Sequence, residues 1–187
     1  MISKVKIYGL EEAVAASKYA KATDLDKVTS EITKTTRSLG SVPTGTGHDN
    51  FLKGISVHFD VNFTIKVWTE AERYHFFEII TSQSTMHCIE RFDIKSRCCK
   101  YVSPVIIEEV ERLKAVYLAN PTPENFLNLV YSVPVGFTLT ARISTNYLQL
   151  KTMYFQRKTH RLPEWHTFCK WIETLPHFKE LVLNNES

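Results

Sequence analysis

Between Ile55 and Ile65 the chain alternates without a break: Ile55, Val57, Phe59, Val61, Phe63 and Ile65 are apolar, and Ser56, His58, Asp60, Asn62 and Thr64 separate them. Successive side chains of a strand point to opposite faces, so this period of two demands an extended segment with one buried and one polar face. A strand of that kind needs neighbours to pair with and apolar cover for its inner face. Two further segments read as strands. Val133 to Ile143 alternates after Gly136, and Lys4 to Tyr8 alternates briefly before Gly9.

Cover comes from helical segments. Leu10 to Tyr19 is alanine-rich with one apolar face, and Thr23 to Leu39 is a polar helix candidate whose charge order, acids before Lys34 and Arg37, suits a helix dipole. Ser103-Pro104 starts a helix to about Ala119, and Thr122-Pro123 starts another through Tyr131. Thr145 is the expected cap of NYLQLKTMYFQRKTH. Pro163 opens PEWHTFCKWIETL, with Trp165, Phe168, Cys169 and Ile172 as its apolar stripe. Ile89 to Tyr101 is irregular and charged, and the tail from Leu183 is polar and expected to fray.

The chain has 187 residues, 43% of them hydrophobic and 23% charged, which suits one domain with a proper core over 1–187. A net charge of +3 is far below the basic bias of a nucleic-acid binder, so no nucleic-acid partner is expected. No apolar run reaches membrane-spanning length, and MISKVKIYGL is too short and too polar for a signal peptide. The expectation is a cytoplasmic protein with reduced thiols and no membrane partner. Cys88, Cys98, Cys99 and Cys169 match no zinc spacing, and His160, His166 and Cys169 do not converge in helical phase, so no metal site is expected.

Three segments concentrate polar groups in apolar surroundings. Trp68 to His87 carries Arg73, Tyr74 and His75, then the hydroxyl and amide run from Thr81 to Thr85, framed by Phe76, Phe77, Ile79 and Ile80. Burying such groups without partners costs about 1–3 kcal/mol each, so they pair locally in a core or line a pocket. The loop GSVPTGTGHDN, residues 40–50, presents His48 from a glycine-rich turn and runs into one helical turn, FLKG. In the helix after Thr145, Asn146 and Arg157 fall on one face with Leu150 and Met153, roughly 16 Å apart. An amide and a guanidinium so placed can hold a long polar ligand. An N-cap asparagine and an arginine paired with a carboxylate would give the same pattern.

No P-loop, dinucleotide-binding glycine pattern, nucleophile elbow or H-E-x-x-H occurs. Taken in order, however, the three segments resemble the flavin-dependent thymidylate synthases. Gly47-His48-Asp49-Asn50 followed by the strand from Ile55 is similar to that family's G-H-x-[ST]-x-x-E-H turn. Arg73-Tyr74-His75 stands in the R-H-R place of its signature, and Ser84-Thr85-Met86-His87 in the S-x-R-Y place. Asn146 to Arg157, with Glu164 beyond, resembles its C-terminal helix.

The resemblance implies an α+β fold of the ThyX type, mixed helices with an antiparallel sheet, assembled as a homotetramer with sites shared between chains. It implies FAD as cofactor, NADPH as hydride source, methylenetetrahydrofolate as one-carbon donor and a pyrimidine nucleotide as substrate, with dUMP converted to dTMP. His48, Asn50, His75 and Asn146 would face the flavin. Arg73, Ser84 and Arg157 would face the nucleotide and its phosphate, Ser84 and Arg157 acting as catalytic residues.

The pattern also departs from the family. Met86 replaces an arginine, Tyr74-His75 replaces His-Arg, Ile80 and Thr81 stand in the region of an Asn-Glu pair, and Lys53 takes the place of the turn's acid. Each lost charged contact to a phosphate costs on the order of 1.5–3 kcal/mol unless Lys53, Arg142 or Lys158 replaces it. Binding without turnover is therefore the alternative function.

Overall fold

The computed structural model describes residues 2–184. Most of the tail expected to fray, 185–187, lies outside the described residues. The alternating segment is strand β2, Ser56–Thr64, with Val57, Phe59, Val61 and Phe63 buried in turn. It belongs to a four-stranded antiparallel sheet with β1 (Ile2–Tyr8), β3 (Glu78–Ser82) and β4 (Thr138–Asn146), in the order β1-β2-β4-β3. Helices complete an α+β fold. They are α1 (Leu10–Ala16), α2 (Lys34–Gly40), α3 (Ile65–Ala71), α4 (Thr85–Cys88), α5 (Ile94–Arg97), α6 (Pro104–Ala119), α7 (Pro123–Tyr131), α8 (Tyr147–Arg157), α9 (Pro163–Ile172) and α10 (Phe178–Val182). No helix among the described residues is long and apolar enough to cross a membrane.

The chain forms two compact units, and β2 and β4 each pass through both. One unit holds 60–73 and 79–142. Its core gathers Ile89, Phe92, Ile94, Val110, Leu129 and Phe137, under α6 and α7. Trp68 donates its indole N–H to the Leu139 carbonyl at 3.1 Å and meets Phe63 edge-on at 5.2 Å. The other unit holds 2–59, 74–78 and, among the described residues, 143–184. There Phe59 packs against Phe77, Phe168 and Trp171, with ring centroids 6.0, 6.1 and 4.5 Å away. The stripe expected on α9 is the buried set found: Trp165, Phe168, Cys169 and Ile172.

Three local expectations change. Only α2 is α-helical within Thr23–Leu39. Asp24 accepts the Asp26 N–H at 3.1 Å and Thr33 accepts the Thr36 N–H at 3.3 Å, so side chains bind nearby backbone and the helix starts only after Thr33. The apolar frame of Trp68–His87 is only partly buried, with Phe77 inside but Phe76, Ile79 and Ile80 exposed. Helix α3 stops at Ala71, before Arg73, and the chain re-emerges as β3, a sheet-edge strand whose five residues are all exposed, Ile80 at 60%. The cap of α8 is Asn146 rather than Thr145. The Asn146 Oδ1 accepts the Gln149 N–H at 2.9 Å, while Thr145 ends β4 and donates its hydroxyl to the Phe76 carbonyl at 2.6 Å.

Candidate functional site

The turn that carries His48 borders two cavities. The first, about 400 Å³, is lined by Gly47, Asn50, Lys53, His75, Phe76 and Gln149, with neighbouring residues of the loop and of α8. Its aromatic wall is fixed from behind. The Phe76 N–H donates to Gln149 Oε1 at 3.3 Å and its carbonyl accepts from Thr145, so both backbone groups of Phe76 are engaged. His75 stands edge-on to the Phe76 ring at 4.8 Å. With its oxygen committed to Phe76, Gln149 presents amide N–H groups as the donors of that wall. Gly47 has φ of 81°, a backbone conformation that glycine adopts without strain.

The second cavity is larger, about 680 Å³, and has a different character. His48 lines it together with Lys18, Lys21 and Lys27, over an apolar floor that includes Val28 and Leu39. Lys18 is held in place by the Thr29 carbonyl, 2.7 Å from Nζ. Basic side chains above apolar surface suit an anion that carries an organic body.

Beneath the turn, Lys151 is buried at 1% exposure, and its ammonium donates to the Gly40 carbonyl at 2.7 Å, the Val42 carbonyl at 2.5 Å and the Asp49 carboxylate at 2.6 Å. No sequence motif identifies this contact. The available signal is helical phase, because Lys151 follows Tyr147 by one turn, on the face that also buries Leu150.

Arg157 closes α8 in an aromatic setting. Its Nε donates to the Tyr74 hydroxyl at 2.7 Å, and the guanidinium lies 4.8 Å from the Trp165 ring centroid and 5.3 Å from that of Tyr74. The Tyr74 hydroxyl in turn bonds Gln156 Oε1 at 2.9 Å. Of the expected site residues, Asn50 and His75 therefore share one cavity and His48 lines the other. Asn146 caps α8 and Arg157 stacks on aromatic rings, and neither lines either cavity. Arg73 and Ser84 belong to the other unit. There Arg73 is exposed, and Ser84 precedes α4 with its carbonyl accepting the Cys88 N–H at 3.0 Å.

Among the possible replacement cations, Lys53 lines the first cavity, Arg142 pairs with Asp60 at 3.1 Å, and Lys158 lies over the Phe155 ring at 5.1 Å. Burial pushes the Cys169 thiol up to about 11, and it raises Cys98 with help from Cys99 and Glu111. Both thiols stay protonated at neutral pH and are poor nucleophiles.

No protein-family model matches the chain, and no curated protein does. Solved structures do. A Helicobacter pylori flavin-dependent thymidylate synthase, ThyX, complexed with FAD and dUMP, superposes with a TM-score of 0.75 at 13% identity, covering 97% of this chain and 99% of that one. The fold is the ThyX fold. A second structure of Helicobacter pylori ThyX with FAD and dUMP gives a TM-score of 0.76, again at 13% identity, over 97% of this chain and 98% of the other. The end-to-end coverage means that the ThyX fold accounts for the helices as well as the sheet.

Proposed function

We propose that this chain is a divergent flavin-dependent thymidylate synthase-like protein, which binds FAD and a pyrimidine nucleotide and methylates the nucleotide reductively. The observation that carries the reading is the ThyX fold over 97% of the chain, in a relative that holds FAD and dUMP. The residues fit a flavin. His75 and Phe76 offer an aromatic wall, Gln149 offers amide donors to ring carbonyls, and Lys53 offers a cation beside them. The lysines around His48 suit the phosphates of the same cofactor on the other side of the turn.

A bound flavin supplies hydride transfer, with NADPH as reductant and methylenetetrahydrofolate as carbon donor. The protein's part is positioning. Arg157, whose Nε is held by Tyr74, is the proposed contact to the nucleotide phosphate. The reading also includes one working domain over 1–187, a homotetramer and a cytoplasmic location. The test is the absorption spectrum of the purified protein with and without added FAD, followed by NADPH oxidation on addition of dUMP. A flavin spectrum and nucleotide-dependent oxidation are expected. Colourless protein that leaves the spectrum of added FAD unchanged overturns the reading.

The second reading is nucleotide binding without turnover. Specific contacts favour it: Asn146 engages its side-chain oxygen in capping α8, and Met86, in an arginine's place, is 53% exposed. It predicts that dUMP raises the melting temperature while NADPH is not consumed.

A further inference from the structure

The loop from Gly40 to Asn50 has little to hold it in shape by itself. Its backbone bonds from Thr46 N–H to the Pro43 carbonyl and from Asn50 N–H to the Gly47 carbonyl are long, 3.4 and 3.3 Å. Gly45 and Gly47 have φ of 97° and 81°, and a Cβ built on Gly45 would meet nothing within 4 Å. Yet this loop supplies Thr44, Gly45, Gly47, Asp49 and Asn50 to one cavity and His48 to the other. Something outside the loop must fix its path.

Lys151 meets the loop at three points. An ammonium has three N–H donors, and Gly40, Val42 and Asp49 take all three. Gly40 is the last residue of α2, where carbonyls lack helical partners and a cation is favoured. A Cβ at Gly40 would come within 2.1 Å of the Leu181 carbonyl, so the start of the loop also sits tightly against α10. Asp49 is 1% exposed and lies directly after His48. A buried carboxylate needs such a partner, and a buried ammonium needs every donor satisfied. The Lys151 side chain thus ties both ends of a glycine-rich loop to the rigid helix α8.

We infer that Lys151 is a positioning residue that holds the Gly40–Asn50 loop in the arrangement that shapes both cavities. Its side chain is 1% exposed and lines neither cavity. It acts through the loop, so its removal frees the turn that bears His48 and Asn50 while leaving the aromatic core behind α8 in place. The ligand consequence rests on the flavin reading above; the loop consequence does not.

The test uses the full chain as wild type, Lys151→Met and Asp49→Asn. Lys151→Met removes all three bonds and keeps side-chain length, and Asp49→Asn keeps an oxygen acceptor and removes the charge. Amide hydrogen exchange is followed in peptides covering 41–50 and 163–172, and FAD affinity is measured by flavin fluorescence. Lys151→Met is expected to speed exchange in 41–50 by about tenfold or more with little change in 163–172, and to weaken FAD about tenfold. Asp49→Asn is expected to do both to a smaller degree. If Lys151→Met does not fold, Asp49→Asn is judged by the same pattern. Equal acceleration in both peptides, or none in either, overturns the inference, because Lys151 would then be a core element or a bystander. A loosened loop with unchanged FAD affinity also overturns it. If the wild type binds no FAD, the flavin reading fails while the exchange pattern still decides the role of Lys151.

Discussion

Tyr74→Phe isolates a single hydroxyl in the setting of Arg157. The ring stays, so its edge contact with Trp165, 6.3 Å between centroids, and its face toward the guanidinium at 5.3 Å both survive. The charge-assisted bond from Arg157 Nε at 2.7 Å and the bond to Gln156 Oε1 at 2.9 Å are both lost. A bond to a charged donor is worth about 1.5–3 kcal/mol, but Arg157 is half-buried and Gln156 exposed, so water replaces part of what is lost. The net cost is about 1–1.5 kcal/mol, or roughly 2–6 °C in Tm for a chain of this size. The functional effect separates the two ligands. If Tyr74 aims Arg157 at a nucleotide phosphate, the variant binds dUMP about fivefold to tenfold more weakly, 1–1.4 kcal/mol, while FAD affinity is unchanged. Differential scanning fluorimetry and isothermal titration with dUMP and FAD supply both readouts. A Tm within 1 °C of wild type, with unchanged dUMP affinity, would refute the reasoning about the hydroxyl. Tighter dUMP binding would show that Tyr74 competes with the phosphate for Arg157 rather than presenting it.

Two further predictions concern the frame. Phe59 is fully buried among Phe77, Phe168 and Trp171, so Phe59→Ala should lower stability by about 3–5 kcal/mol, read as a shift of the urea midpoint at unchanged m. A loss below about 1 kcal/mol would mean that this aromatic cluster is not packed as described. Burial, then the nearby Glu173 carboxylate, raises the Cys169 thiol from 9.0 to about 11, with Arg157 and Lys158 opposing. A raised folded-state value gives stability that is whole below pH 9 and is lost as pH climbs toward 11. Cys169→Ala should therefore flatten the fall in urea midpoint across that window; an unchanged slope would exclude Cys169 as its source.

How far the sequence reveals this molecule depends on how local each signal is. β2 was legible because every second residue from Val57 to Phe63 enters a core, a pattern carried entirely by its own residues. The stripe of α9 was legible for the same reason at helical period. β3 was hidden, because as a fully exposed edge strand it carries no buried face to set a period, and Ile79 and Ile80 read as core when they face outward. Of the site, the order of the glycine-histidine turn, the Arg73–His75 cluster and the Asn146–Arg157 helix pointed to the ThyX fold. The division of labour among those residues was not visible. Asn146 has the same letter wherever it sits, and only the 2.9 Å bond from the Gln149 N–H shows that it caps α8. Lys151 is the strongest case. A lysine on an apolar helix face reads as a defect in the pattern until its three acceptors, more than 100 residues earlier in the chain, are seen to converge on it. Such a contact is long-range by construction, because the groups that make burial of the charge tolerable belong to the loop it restrains. Buried elements such as β2 and α9 can therefore be read from local period, while the shape of the cavities depends on a polar contact that local pattern does not encode.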